Sequence, residues 1–295
     1  MSDHIEQLTA FAKTKDFFIG IDSDGCAFDT MEPKHKACFY PMTVEHWDLA
    51  GVAKYARDVW DFVNLYGQTR GCNRFLALLG TFDHLDVWDE VAERGFRSPP
   101  VEPLRQWVEQ ETKLGNPALE AKVAETNDPV LTRALGWSRA INEQVARTVH
   151  DVPPFPHVRE CLERVAGRAD VMVVSATPNE ALEREWAEHD IARYTSMICG
   201  QEMGKKSEHL RYGAGGKYDA DKVLMIGDAP GDMKAAKAND ALFYPIMPGD
   251  EDASWQRFGA EAAERFFAGD YAGDYEQQLI DAFMAHLPAE PPWKR

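Results

Sequence analysis

Three short runs of uninterrupted apolar residues set the pattern of this chain: FFIGI at 17–21, VMVVSA at 171–176 and VLMIGD at 223–228. Each ends in polar residues or glycine, as strands do when both faces of a parallel sheet are covered. ALFYPIM at 241–247 predicts a further strand, and MICG at 197–200 is another short apolar stretch. Segments of helical spacing follow two of the runs: NEALEREWAEHD comes after VMVVSATP, and GDMKAAKAND after VLMIGDAP. Strands alternating with helices predict βαβ units and an open α/β sheet.

The stretch between the first two strands reads differently. VEHWDLAGVAKYARDVWDFVNLY and LTRALGWSRAINEQVARTVH carry apolar residues three and four apart, the period of amphipathic helices. PP at 99–100 and PPFP at 153–156 punctuate it. Residues 32–152 are therefore expected to form a helical domain inserted into an α/β domain of residues 1–31 and 153–295. SWQRFGAEAAERFF and DYEQQLIDAFMAHL predict two closing helices, and AEPPWKR a loose tail. A chain of 295 residues fits two domains at roughly 150 residues each.

Composition narrows the function classes. Lys and Arg number 32 against 49 Asp and Glu, a net charge of −17. That balance gives no basic footprint for nucleic acid and argues against an anionic membrane surface. An anionic substrate would need a locally built site. The five cysteines, Cys26, Cys38, Cys72, Cys161 and Cys199, form no CxxC, so neither a disulfide framework nor a zinc cage is expected. MSDHIEQLTA lacks the basic-then-apolar signature of an export signal, and no apolar run reaches the roughly 18 residues of a membrane helix. A cytoplasmic location is the expectation.

Candidate chemistry gathers at the ends of the runs. Asp22-Ser23-Asp24-Gly25 follows the first. Two carboxylates two residues apart at the carboxyl end of a strand share one face, at the edge where open α/β sheets bind ligands. Their repulsion favours a shared proton or a divalent cation, and oxygen ligands suit Mg²⁺. Gly227-Asp228-Ala229-Pro230-Gly231-Asp232 places a second acidic pair after the third run, although Asp, Pro and Gly are also turn formers and Asp232 also suits a helix cap. The second run ends in Ser175. Thr177, Pro178 and Glu180 match a capping box, which would leave the Ser175 hydroxyl for an anion. Lys205 and Lys206 offer a fixed cation, or else a solvated charge pair.

Taken in order, DxD, Ser, Lys and GDxxxD resemble the four motifs of the haloacid dehalogenase superfamily. IDSDGCAFDT is similar to its first motif, with Asp22, Asp24 and Gly25 in register and Cys26 where Thr is usual; VMVVSAT resembles the second and GDAPGD the fourth. The third falls on Lys205 or Lys206. The long gap before Ser175 and the short one after it match a helical cap of the C1 type. The resemblance implies a Rossmann-like open parallel sheet with an inserted α-helical C1 cap domain, and a Mg²⁺-dependent phosphatase acting on a small phosphorylated metabolite. In that scheme Asp22 is the nucleophile that carries an aspartyl phosphate, and Asp24 is general acid and base. Mg²⁺ is held by Asp22, the Asp24 carbonyl and Asp228, with Asp232 binding directly or through water. Ser175 and the lysine hold the nonbridging oxygens.

Asp24 favours phosphoryl chemistry over dehalogenation, because departing halide needs no proton. Phosphomutase, phosphonatase and a catalytically silent binding or regulatory protein are the alternatives. A phosphonatase would need a Schiff-base lysine in the cap, for which Lys36, Lys54, Lys113 and Lys122 are available. Trp47, Trp60, Arg70 and Arg74 are candidates for a substrate pocket, or for ordinary structural pairs. Cys26 is not expected as nucleophile, since acidic neighbours disfavour a thiolate. Oligomeric state is left open.

Overall fold

A computed structural model describes residues 3–294. Five strands, β1 (Phe17–Ile21), β2 (Ala169–Val174), β3 (Met197–Cys199), β4 (Val223–Gly227) and β5 (Leu242–Pro245), form one sheet in the order β3-β2-β1-β4-β5. Every pairing is parallel, with Ile21 opposite Val173 on one side and Ile226 on the other. β1 is central, and the strand order reverses around it, so the carboxyl ends of β1 and β4 flank a topological switch point.

The continuous apolar runs are explained by burial on both faces. Ile19, Ile21, Val171, Val173, Leu224 and Ile226 pack with Val158, Leu162, Trp186, Trp255 and Phe266. Phe18, Met172, Val174, Met225 and Phe243 pack with Leu8, Leu210, Ala236, Ile280 and Phe283. Side chains alternate between these two cores along the strands, although within the apolar runs nothing polar marks the alternation. β3 is an edge strand of three residues, two of them only partly buried, which is why its sequence carries so weak a signal.

The chain divides into two compact units, Met1–Met31 with Asp151–Leu287, and Glu32–His150 with Pro288–Arg295. The second is helical and has its own core around Trp60, Trp137, Phe75 and Phe82. Its helix Pro129–Thr148 follows the periodicity, capped by the Asp128 carboxylate on the amides of Val130 and Leu131. The stretch 44–66, by contrast, is broken. Helix Tyr40–His46 stops before Asp48, whose φ of 56° is left-handed, and the chain resumes as a helix at Ala53–Asp61 and a π-turn at Phe62–Tyr66. The carboxyl-terminal segment is not a loose tail: Trp293 stacks on Trp88 with ring centroids 4.5 Å apart, and the segment groups with the helical unit.

Candidate active site

Asp22 extends β1 by one residue, its amide donating to the Ile226 carbonyl at 3.0 Å. The chain then turns sharply. Gly25 adopts φ 73°, a left-handed conformation that a side chain would strain, and the Ser23 carbonyl accepts the amides of Ala27 and Phe28 at 2.9 and 3.0 Å. Asp228 follows β4, and Asp232 lies in the first turn of the helix Pro230–Lys237. Asp232 folds back on the strand end, and one Oδ2 accepts the Ala229 amide at 3.1 Å. Only glycine at 227 allows this, because a Cβ there would meet the Asp232 side chain at 2.4 Å.

These turns bring oxygen atoms of Asp22, Asp228 and Asp232 within 4.8 Å of one another. All three residues are buried. Lys206 Nζ donates to Asp22 Oδ2 at 2.5 Å and to Asp232 Oδ1 at 2.6 Å. Burial is the main force on Asp22, pushing its pKa up to about 6; Lys206 pulls it down and Asp232 pushes it up again. Burial and then Asp228 raise Asp232 in the same way, with Lys206 opposing. Burial works against the Lys206 ammonium, but the two carboxylates outweigh it and hold the lysine protonated.

Three carboxylates against one ammonium leave an excess of two negative charges when all are ionised. The donor set is all oxygen and converges from two strand ends, so these residues fit a hard divalent cation.

Lys205 lies elsewhere. It is exposed and precedes the helix Lys206–Gly213, where its amide donates to Glu208 Oε2 at 2.8 Å. Of the two lysines, Lys206 alone joins the cluster among the described contacts. Ser175 is buried at the end of β2, and its hydroxyl accepts the Thr177 amide at 3.2 Å, a local bond. The capping-box expectation for Thr177 is corrected. The helix runs Asn179–Glu188 with no side-chain cap, and the Thr177 hydroxyl donates instead to Asp24 Oδ2 at 2.8 Å. Thr30 donates to Asp24 Oδ1 at 2.5 Å. The two hydroxyls clamp a carboxylate that is only partly buried. Neither contact has a signature in the sequence, although hydroxyl residues close to a motif acid are worth weighing.

Cys26 is fully buried; burial, then Asp228, Asp22 and Asp232, push its thiol well up, a direction that disfavours the thiolate. The four pocket candidates make structural contacts within the helical unit. Trp47 and Trp60 are core residues. Arg70 is 4% exposed and donates to the Leu65 carbonyl at 2.8 Å. Arg74 reaches the Ser138 carbonyl, the Ser138 hydroxyl and Asn142 at 2.8–3.1 Å, and burial lowers its pKa to about 10.

Among known proteins, the family model for haloacid dehalogenase-like hydrolases matches residues 93–244, just over half of the chain. The match takes in Ser175, Lys206, Asp228 and Asp232, while Asp22 and Asp24 lie before it. No curated protein sequence matches significantly. Solved structures that resemble the chain include a haloacid dehalogenase-like family hydrolase from Streptococcus pneumoniae, at 14% identity and TM-score 0.45, covering 90% of this chain and 98% of that one. A predicted phosphatase from Clostridium acetobutylicum has 14% identity and TM-score 0.44, over 84% and 92% of the two chains. A hydrolase of the same superfamily from Geobacter sulfurreducens has 15% identity and TM-score 0.39, over 79% and 89%. Likenesses of this size transfer no activity. With the matched model spanning three of the four motifs in a parallel α/β sheet, the chain belongs to the haloacid dehalogenase-like hydrolases.

Proposed function

We propose that this hydrolase is a Mg²⁺-dependent phosphatase that acts on a small phosphorylated metabolite through an aspartyl phosphate on Asp22. The observation that carries the reading is the cluster of Asp22, Asp228 and Asp232 with Lys206 bridging two of its members. A carboxylate nucleophile must meet an anionic phosphate, and such an encounter needs positive charge placed beside both anions at the point of attack.

In this reading an Asp22 oxygen forms a bond to phosphorus as the bond to the leaving oxygen breaks. Asp24 gives its proton to that oxygen. Asp24 then takes a proton from water as the water oxygen attacks phosphorus, which returns Asp22 as a carboxylate and releases inorganic phosphate. Lys206 and Ser175 hold nonbridging oxygens. Asp22 and Asp228 would hold Mg²⁺, with the Asp24 carbonyl and, directly or through water, Asp232. When bound, Mg²⁺ would offset the charge of the phosphoryl group and its nucleophile.

The helical unit is read as a C1-type cap that selects the substrate. Lys36 does not suit a phosphonatase. A Schiff-base lysine needs a neutral amine, whereas Lys36 is held as an ammonium by Glu32 at 2.6 Å and Tyr66 at 3.0 Å.

The test is hydrolysis of p-nitrophenyl phosphate and of a metabolite panel with and without Mg²⁺, followed by acid quench and mass spectrometry. Phosphate release with an adduct on Asp22 is expected. No turnover of any of these esters by folded protein favours the binding reading, and an adduct on another residue rejects the mechanism.

A further inference from the structure

Ser23 stands between the two proposed acids, and its hydroxyl accepts a hydrogen bond from Trp186 Nε1 at 3.0 Å. We propose that Trp186, acting through Ser23, is a positioning residue for the Asp22–Asp24 loop. The inference rests on the reading of Asp22 as nucleophile.

Ser23 is fully buried and ties the loop together with all three of its polar groups. Its amide donates to Asp22 Oδ1 at 2.7 Å. Its carbonyl accepts the amides of Cys26, Ala27 and Phe28. Its hydroxyl takes the indole N–H. A shift of the Ser23 backbone therefore moves the amide that orients the Asp22 carboxylate.

Trp186 is itself fully buried on the helix Asn179–Glu188, and the Phe28 ring lies edge-on to it at 5.6 Å. A rigid side chain fixed by packing, with one donor and one acceptor to meet it, is a stiff strut. A second indole braces the far end of the turn: Trp255 Nε1 donates to the Cys26 carbonyl at 2.8 Å. The loop is thus pinned at Ser23 and at Cys26 from two different helices on the same face of the sheet.

An indole N–H buried without an acceptor is costly, so removing the Ser23 oxygen should shift one or both partners. Small displacements of a nucleophile lower the rate of attack more than they weaken binding.

The experiment compares Ser23→Ala, Trp186→Phe and the double variant on p-nitrophenyl phosphate, with melting temperature and near-ultraviolet dichroism as checks on folding. Each single variant is expected to lose about tenfold or more in kcat, with KM within about twofold. The double variant should be no slower than the worse single one, because both changes cut the same link. Ser23→Ala removes one oxygen only and decides the matter if Trp186→Phe does not fold. An unchanged kcat in Ser23→Ala, a loss confined to KM, or losses that multiply in the double variant would each overturn the proposal. Wild-type protein that forms the Asp22 adduct beside a Ser23→Ala variant of equal kcat overturns this inference alone; wild-type protein that hydrolyses no ester overturns the phosphatase reading and this inference with it.

Discussion

Replacing Asp22 by Asn should stabilise the metal-free protein near neutral pH while abolishing turnover. Asp22 is 5% exposed, and burial lifts its pKa from 3.8 to about 6. The sign follows from proton binding. Between those two values the folded protein holds a proton that the unfolded chain has lost, so this group's contribution to stability falls as pH rises through that window. Above pH 6 the penalty is full: about two units at about 1.4 kcal/mol each, or about 3 kcal/mol. The Lys206 contact is already counted in that shift, because the shifted value reports the carboxylate with its partner in place. Asn resembles the protonated acid and escapes the penalty, although its Nδ2 would face either Lys206 or the Ser23 amide, both of them donors. A net gain of about 1–3 kcal/mol at pH 7.5 is expected, shrinking towards zero near pH 4. Urea denaturation in EDTA at several pH values measures it. A loss of stability at pH 7.5, or a gain that does not change between pH 7.5 and pH 4, would refute the reasoning.

Three further outcomes follow from the same cluster. Lys206→Met strips two buried carboxylates of their counter-charge and should cost about 3–5 kcal/mol in metal-free protein together with nearly all turnover, whereas exposed Lys205→Met should stay within about 0.5 kcal/mol of wild type; denaturation and steady-state rates compare them. Mg²⁺ affinity by calorimetry should weaken below about pH 6 by up to about tenfold per pH unit, because a proton then competes for Asp22, and an affinity that is flat from pH 5 to pH 7.5 removes Asp22 from the ligand set. Asp24→Ala should give a burst of nitrophenol from p-nitrophenyl phosphate and then stall about 10²–10⁴-fold below wild type with phosphate trapped on Asp22, since this leaving group needs little help from an acid while the water still needs a base. Rapid-quench kinetics without a burst would contradict that division of labour.

How much of this was legible in the sequence depends on how local each cause is. β1, β4, β5 and the part of β2 after Asp170 were readable because burial on both sheet faces leaves an apolar run. The acidic pairs were readable because they sit directly at strand ends. The choice between Lys205 and Lys206 was not, since adjacent residues share composition and differ only in where the helix places them. Thr177 misled for a related reason. Its local pattern fits a cap, yet the bond that forms is to Asp24, 153 residues away in the chain. For Arg70 and Arg74 the sequence offered a substrate pocket or ordinary structural pairs, and their partners, carbonyls and a hydroxyl from other turns and another helix, have no local signature.

The deeper limit concerns roles. Asp22 and Asp24 are the same residue type two positions apart, and no pattern in the motif says that they should behave differently. Their surroundings do. Asp22 is buried among carboxylates and bound to an ammonium, which fixes its direction and leaves its charge costly. Asp24 is only partly buried, and the hydroxyls of Thr30 and Thr177 donate to its carboxylate. A group that must exchange protons with a leaving oxygen and with water gains from access to both. A group that must attack gains from a fixed direction and from an ammonium that also favours an incoming anion. Divergent environments around paired carboxylates are what separate such roles in general. Here the separation is built by residues from outside the motif, Lys206 and Asp232 on one side and Thr177 on the other, with Thr30 at the motif's own end. The division of labour proposed for the pair is therefore a property of the fold that surrounds it.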